Sequence, residues 1–192
     1  MIMSSMVRWG GVAGLAAAGL LILSALLDQV SQGDGIVDTP SEYLYRAVVA
    51  LAYVAVIIAV LGIHSLHAGN SRYGAVGTVG AVITIIGYAI IAGITLISMI
   101  RDFEYLLTVR IAAAGLVLIG SLILGVIIIR AKLLPWWCGV LLIIAFPLGD
   151  VANAIFGSAE NLLLALLWGS MGVALMTKRQ AAAAGSQPAR AS

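Results

Sequence analysis

The sequence alternates six long apolar runs with short polar connections. The hydrocarbon core of a bilayer is about 30 Å thick, and a helix crosses it in about 20 residues. Because a backbone in lipid must satisfy its own hydrogen bonds, each run is predicted to be an α-helix. The predicted spans are 7–27, 44–66, 73–100, 107–129, 133–152 and 161–177. The pattern therefore predicts an all-α fold, a polytopic bundle of six transmembrane helices forming one domain over residues 1–177.

The amino-acid composition also indicates that the lipid bilayer is the partner of this chain. It argues against several other classes of protein. Hydrophobic residues make up 62% of the 192 residues and charged residues 9%, whereas soluble domains carry about 25% charged residues. No basic stripe accompanies the net charge of +2, so we expect no nucleic-acid partner. Cys138 is the single cysteine and cannot form an internal disulfide. With only His64 and His67 beside it, we expect neither a metal site nor a cofactor.

Charged residues divide between alternate connections. The acidic residues lie in or beside the first, third and fifth connections: Asp28, Asp34, Asp38, Glu42, Asp102, Glu104, Asp150 and Glu160. The other connections and both termini carry only basic residues: Arg8, Arg72, Arg130, Lys132, Lys178, Arg179 and Arg190. Lys and Arg in short loops favour the cytoplasmic side. Both termini are therefore predicted to be cytoplasmic, in the inner membrane of a bacterial cell, with the acidic connections outside.

The two ends of the chain need separate interpretation. The first run begins like a secretory signal peptide, but its apolar stretch is long and no small-residue cleavage site precedes Asp28. We therefore interpret it as a retained transmembrane helix. Residues 178–192 are small and polar and include Pro188. They have nothing to bury, and we expect a disordered cytoplasmic tail.

Small residues recur at every fourth position of the first run, at Gly10, Gly14 and Ala18. In lipid, small side chains allow two helix backbones to approach closely. We interpret the row as helix packing within the bundle. The alternative is a docking surface for another membrane protein or for a second copy of this chain.

A second row, Ala13 and Ala17, adds a resemblance in outline to a known family. Six spans, inner termini, this row and the long loop 28–43 resemble the substrate-binding membrane subunits of energy-coupling-factor vitamin transporters. The resemblance implies that the alanine row docks a transport partner and that the loop covers a ligand.

Pro147 lies within the fifth run, in the outer third of the predicted bilayer. Proline cannot donate to the carbonyl four residues earlier, so we expect a helix kink at this point. Asp150 and Asn153 follow directly. A carboxylate so close to hydrocarbon needs water or a partner, and a rim that faces a ligand is one arrangement that provides it. The alternative is a helix that ends at the interface with Asp150 in solvent.

Three arginines lie at predicted outer helix ends, although basic residues favour the cytoplasmic side: Arg46, Arg101 and Arg110. We predict that they form a ligand-binding vestibule with Glu42, Asp150 and Asn153. Opposite charges in one vestibule suit a zwitterionic or otherwise polar small molecule, since arginine binds carboxylate or phosphate groups well. The alternative is arginines that extend towards water and form local ion pairs of small energetic value.

Three functions remain open on the sequence alone. The first is the binding or transport of a small solute through an outward-facing vestibule. The second is a membrane-embedded enzyme for a lipophilic substrate, with Asp150 and either Glu42 or Glu160 as acid and base. The third is an accessory subunit without a small-molecule site. The sequence contains no recognised catalytic motif and no catalytic residues are assigned, so we favour the first.

Overall fold

The computed structural model describes the backbone of residues 2–30, 39–100, 107–156 and 159–185, with side chains except at 2–4, 150, 152–156 and 179–185. These residues form six α-helices and no strand: α1 (Ile2–Val30), α2 (Pro40–His67), α3 (Gly74–Ile97), α4 (Leu107–Ala131), α5 (Trp136–Phe156) and α6 (Ala159–Gly185). Five helices contain a stretch long and apolar enough to cross a membrane, and α5 is apolar over Trp136–Gly149. The predicted all-α membrane bundle is confirmed.

Polar capping residues explain why α2 begins before its apolar run. The Thr39 hydroxyl accepts a hydrogen bond from the Glu42 N–H, and the Glu42 carboxylate accepts one from the Thr39 N–H. This reciprocal pair is a capping box, which satisfies N–H groups at the open end of a helix. Pro40 occupies the first helical position, where no N–H is needed.

The last two helices, α5 and α6, extend beyond the C-terminal ends of their predicted spans. Pro147 lies inside α5, which continues to Phe156 and therefore does not end at Asp150. The kink predicted at Pro147 stays a prediction. The last helix, α6, runs past the predicted span 161–177 to Gly185, and residues 186–192 lie outside the described part of the chain.

The helices form a ring. Each helix packs against its neighbours in the sequence, and α1 also packs against α6. Because successive helices run in opposite directions, α2, α4 and α6 begin at the end where α1, α3 and α5 finish. We call this the acidic end, since it carries Asp28, Glu42 and Glu160. The opposite end carries Arg72 and Arg130 and is called the basic end.

Aromatic side chains occupy the interior of the ring. The rings of Tyr53 in α2 and Tyr88 in α3 lie 5.5 Å apart between centroids. Trp168 of α6 is 0% exposed, and its ring meets Tyr88 edge-on at 6.2 Å and 76°. Edge-to-face pairs of this kind stabilise a core beyond their burial alone. The three residues therefore connect α2, α3 and α6 across the inside of the bundle.

Glycines allow α1 to approach its two neighbours. A Cβ added at Gly10 would lie 2.5 Å from the Cα of Gly62 in α2. A Cβ added at Gly14 would lie 2.8 Å from a backbone oxygen of α6 and 3.0 Å from the Cα of Gly172. At both crossings, backbone faces backbone with no room for a side chain.

Three alanines of the small-residue rows, Ala13, Ala17 and Ala18, also face the bundle. A Cβ built at Gly169 of α6 would lie 3.2 Å from the Ala18 Cβ. Ala13 and Ala17, to which the family resemblance gives a docking role, are buried inside this single chain. The small-residue rows of α1 thus lie at contacts that the chain makes with itself.

Candidate functional site

Polar side chains gather at the acidic end of the bundle. Hydrogen bonds and charge interactions link residues from α1, α2, α3, α4 and α6 there. The cluster comprises Asp28, Glu42, Tyr45, Arg46, Ser98, Arg110, Glu160 and Asn161. We call this set the polar cluster. Ionisable groups this close to the membrane are costly unless they pair or face water, so they mark a candidate functional site.

Arg46 joins the start of α2 to the end of α3. Its Nη1 donates a hydrogen bond to the Ser98 Oγ. The same Ser98 Oγ donates to the Thr95 carbonyl at 2.7 Å, within the last turn of α3. A helix carries partial negative charge at its C-terminal end, which favours a cation there. Arg46 is therefore held by structural contacts between two helices, with Glu42 and Arg110 close enough to interact with its charge.

Glu42 is a capping residue in this structure. Its side chain is 6% exposed. Its Oε2 accepts hydrogen bonds from the Thr39 N–H at 3.2 Å and from the Thr39 hydroxyl at 3.0 Å. These contacts stabilise the start of α2 and fix the position of the carboxylate.

Tyr45 connects α2 to α6. Its hydroxyl lies close to the side chain of Asn161, which is itself buried. Three charged residues, Asp28, Arg110 and Glu160, lie near enough to act on the Tyr45 phenol. The contact brings the second turn of α2 and the first turn of α6 together beside the end of α1.

A cavity of about 80 Å³ lies inside the ring at this end. Helices α2, α3, α4, α5 and α6 each contribute to its wall. Its lining residues are Tyr53, Tyr88, Ile91, Arg110, Ala114, Phe146 and Glu160. The wall therefore combines one cation and one anion with three aromatic rings and aliphatic surface.

The two charges of the cavity belong to the first turns of α4 and α6. Glu160 lies in the first turn of α6, where the positive end of the helix dipole stabilises a carboxylate. Glu160 and Arg110 both act on the buried Tyr53 hydroxyl. Glu160 also acts on Tyr88. Glu160 thus shares the cavity wall with the two tyrosines.

Because Gly149 of α5 has no side chain, Glu160 can occupy the space beside it. A Cβ added at Gly149 would lie 3.1 Å from the Glu160 Cγ and 3.4 Å from its Cα. A larger residue at this position would push the Glu160 side chain away from α5. The position of the carboxylate therefore depends on a glycine two residues after Pro147.

The structure brings three of the predicted vestibule residues to one end of the bundle. Glu42, Arg46 and Arg110 belong to the polar cluster, and Arg110 lines the cavity. Arg101 lies outside the described residues, as do the side chains of Asp150 and Asn153. Their contribution to a vestibule stays a prediction.

Sequence reasoning assigned no solute-binding role to most of the cavity wall. The sequence suggests Glu160 only as an alternative acid or base for an enzyme, because this residue flanks a predicted connection between two helices. The cavity residues without an assignment are Tyr53, Tyr88, Ile91, Ala114 and Phe146. Tyr53 and Tyr88 both lie well inside a predicted span, away from both interfaces. An aromatic residue at that depth is the sequence signal that could have marked them as candidate site residues.

A second group of polar residues lies at the basic end. The Tyr73 hydroxyl is 3.2 Å from the His64 Nδ1, and the Tyr73 ring stacks on His67 at 5.2 Å. Burial raises the pKa of Tyr73 to about 12, so the phenol keeps its proton and can donate to His64. The described residues contain no group of three or more His, Cys, Asp or Glu residues that could hold a metal ion. This group fixes the turn between α2 and α3.

The fold and the polar cluster define the class of this protein: a polytopic helical membrane protein with a small polar cavity at one end of its bundle. Comparison with models of known families, with curated proteins and with solved structures finds no match to this chain. The function is therefore argued from the cavity.

Proposed function

We propose that this membrane protein binds a small polar solute in the acidic-end cavity, as the recognition step of transport across the membrane. The observation that carries the proposal is the cavity wall, where Arg110 and Glu160 stand beside aromatic rings inside an apolar bundle. Small-molecule sites combine mostly apolar walls with a few placed polar groups. The Lys and Arg distribution favours an outward position for this end.

The size of the cavity supports a small solute over the enzyme alternative. A cavity of about 150 Å³ encloses benzene, whereas this one measures about 80 Å³. Sites for drug-sized ligands measure roughly 300 Å³ or more. A lipophilic substrate of an isomerase or cyclase would not fit without a large rearrangement of five helices.

The interior below the cavity supports a binding site over an open channel. Trp168 follows Glu160 along α6 by about 12 Å, at about 1.5 Å per residue. It is fully buried and packs against Tyr88, which lines the cavity. The bundle is thus packed beneath the cavity, as expected for a site that holds its solute.

Neutralising both cavity charges is expected to weaken solute binding strongly. The test compares the wild-type chain with an Arg110→Gln/Glu160→Gln double variant in detergent micelles. Glycine, methylammonium, acetate and urea serve as probes, and thermal denaturation reports binding, since a ligand of the native state stabilises it. We expect at least one probe to raise the Tm of the wild type. Hydrogen bonds to charged groups contribute about 1.5–3 kcal/mol, so the double variant should bind that probe at least about tenfold more weakly.

The matched control is Arg130→Gln. Arg130 lies on the same helix as Arg110, at its other end, and does not line the cavity. This variant should respond to the probes like the wild type. If no probe stabilises the wild type, or if the double variant responds as the wild type does, the proposed function is wrong.

A further inference from the structure

The two charged residues of the cavity wall, Arg110 and Glu160, belong to different helices. Arg110 is carried by α4, between α3 and α5 in the ring, whereas Glu160 is carried by α6. Both charged residues share the wall with Tyr53 and Tyr88. Because α4 and α6 are not neighbours in the ring, Arg110 and Glu160 enter the cavity from different directions.

Each part of the wall has a matching chemical group. A guanidinium binds a carboxylate through paired charge-assisted hydrogen bonds. An ammonium is attracted both by a carboxylate and by the faces of aromatic rings within about 6 Å of their centroids. Glu160, Tyr53 and Tyr88 supply both features, and Phe146 adds a further ring.

An ion of a single sign fits this wall poorly. A lone carboxylate would be attracted by Arg110 but repelled by Glu160. A lone ammonium would be attracted by Glu160 but repelled by Arg110. A molecule that carries both charges presents a complementary group to each of the two residues. Complementary and opposed charges of this kind are how a site discriminates between ligands.

The volume limits the length of such a molecule. One water-sized group needs about 10–15 Å³ of cavity volume, so the cavity holds on the order of five non-hydrogen atoms. That is enough for an ammonium and a carboxylate separated by one or two carbons. It leaves no room for a large side chain.

We propose that the cavity recognises a small zwitterion of the amino-acid type, with its carboxylate at Arg110 and its ammonium between Glu160 and the rings of Tyr53 and Tyr88. This proposal rests on the proposed function and names the solute class of the same cavity. The site discriminates by charge pattern and by size together.

The test is isothermal titration of the purified full chain in micelles with glycine and with its two halves. Methylammonium carries the ammonium alone and acetate carries the carboxylate alone. Glycine should bind at least tenfold more tightly than either half. Valine, a zwitterion with a branched side chain, should bind at least tenfold more weakly than glycine, because the cavity cannot hold it.

Single variants assign each charge to its half of the ligand. Glu160→Gln should weaken glycine and methylammonium binding and strengthen acetate binding, because it removes the charge that opposes acetate. Arg110→Gln should weaken glycine and acetate binding and strengthen methylammonium binding for the same reason. The binding that each variant retains shows that its cavity still forms, so a loss cannot be assigned to misfolding.

Several results would overturn the zwitterion proposal. Methylammonium as tight as glycine would make the cavity an aromatic cation site, and acetate as tight as glycine would make it an anion site. In both cases a solute still binds, and the proposed function stands. Urea as tight as glycine would mean that charge is not recognised. Absence of binding by every probe would remove the zwitterion proposal and the proposed function together.

Discussion

Replacing Gly10 with leucine should destabilise the bundle strongly, whereas the same replacement at Gly19 should leave it intact. Both glycines lie on α1. A Cβ at Gly10 would lie 2.5 Å from the Gly62 Cα and 3.2 Å from the Gly62 nitrogen. A Cβ at Gly19 would meet nothing within 4 Å. The two variants thus introduce the same side chain, one at a helix crossing and the other at an open surface.

The physical reason is that backbone cannot move aside as a side chain can. To accept leucine at Gly10, α1 would have to separate from α2 along the crossing and lose the contacts beside it. In lipid, these packing contacts hold helices together, because the bilayer is as apolar as the core. Overpacking a well-packed interior costs about 1–3 kcal/mol and sometimes more. Because the atoms that a side chain at Gly10 would meet are backbone atoms of α2, we expect Gly10→Leu to cost about 3 kcal/mol or above.

The control removes the effect of helix propensity. Leucine favours a helix over glycine by about 1 kcal/mol at either position, so the difference between the variants reports packing. Unfolding in mixed micelles with increasing SDS, followed by circular dichroism, would measure the free energy of each. Gly62→Leu should repeat the loss from the other side of the crossing. Equal stability of Gly10→Leu and Gly19→Leu would show that α1 does not pack on α2 as described.

The sequence predicts which segments cross the membrane but not which segments are neighbours. Apolar run length and loop charge depend on the bilayer alone, so the six helices and the polar character of one end could be predicted. The contact between Arg46 and Ser98 could not. It depends on α3 ending at Ile97 and lying next to α2 in the ring, and neither fact follows from hydropathy.

The cavity was harder to predict for a related reason. In a soluble helix, polar residues mark the outer face and so reveal the inner one. A membrane helix is apolar on both faces, since lipid replaces water outside. Hydropathy therefore does not show that Tyr53 and Tyr88 face the interior of the ring, and only their depth within the spans distinguishes them. Glu160 was visible as a charge, but its approach to Gly149 depends on how α5 and α6 pack.

Truncating Trp168 to alanine should produce a second large loss of stability. Trp168 is 0% exposed, whereas Trp136 at the start of α5 is 68% exposed. Trp136→Ala is thus the same chemical change outside the core. Large aromatic residues in protein cores cost about 3–5 kcal/mol on truncation, partly through the void left behind. The transfer part of that cost is smaller in lipid, so we expect about 3 kcal/mol for Trp168→Ala and little for Trp136→Ala.

Replacing Trp168 with phenylalanine separates the ring from its polar N–H. The Trp168 N–H lies near the Tyr88 hydroxyl, but it makes no hydrogen bond of normal geometry among the described residues. A buried donor without a partner is itself destabilising. Phenylalanine keeps an aromatic contact with Tyr88 and removes this donor, so the two effects oppose each other. Trp168→Phe should therefore stay within about 1 kcal/mol of the wild type.

The same series links packing to the cavity. Tyr88 rests on Trp168 on one side and lines the cavity on the other. Loss of the Trp168 ring lets Tyr88 move towards the void, so Trp168→Ala should weaken glycine binding even under conditions where the chain stays folded. Trp168→Phe should preserve it. If Trp168→Ala and Trp136→Ala lose equal stability in an SDS titration, Trp168 does not support the bundle interior. If Trp168→Ala binds glycine like the wild type, Tyr88 does not depend on it.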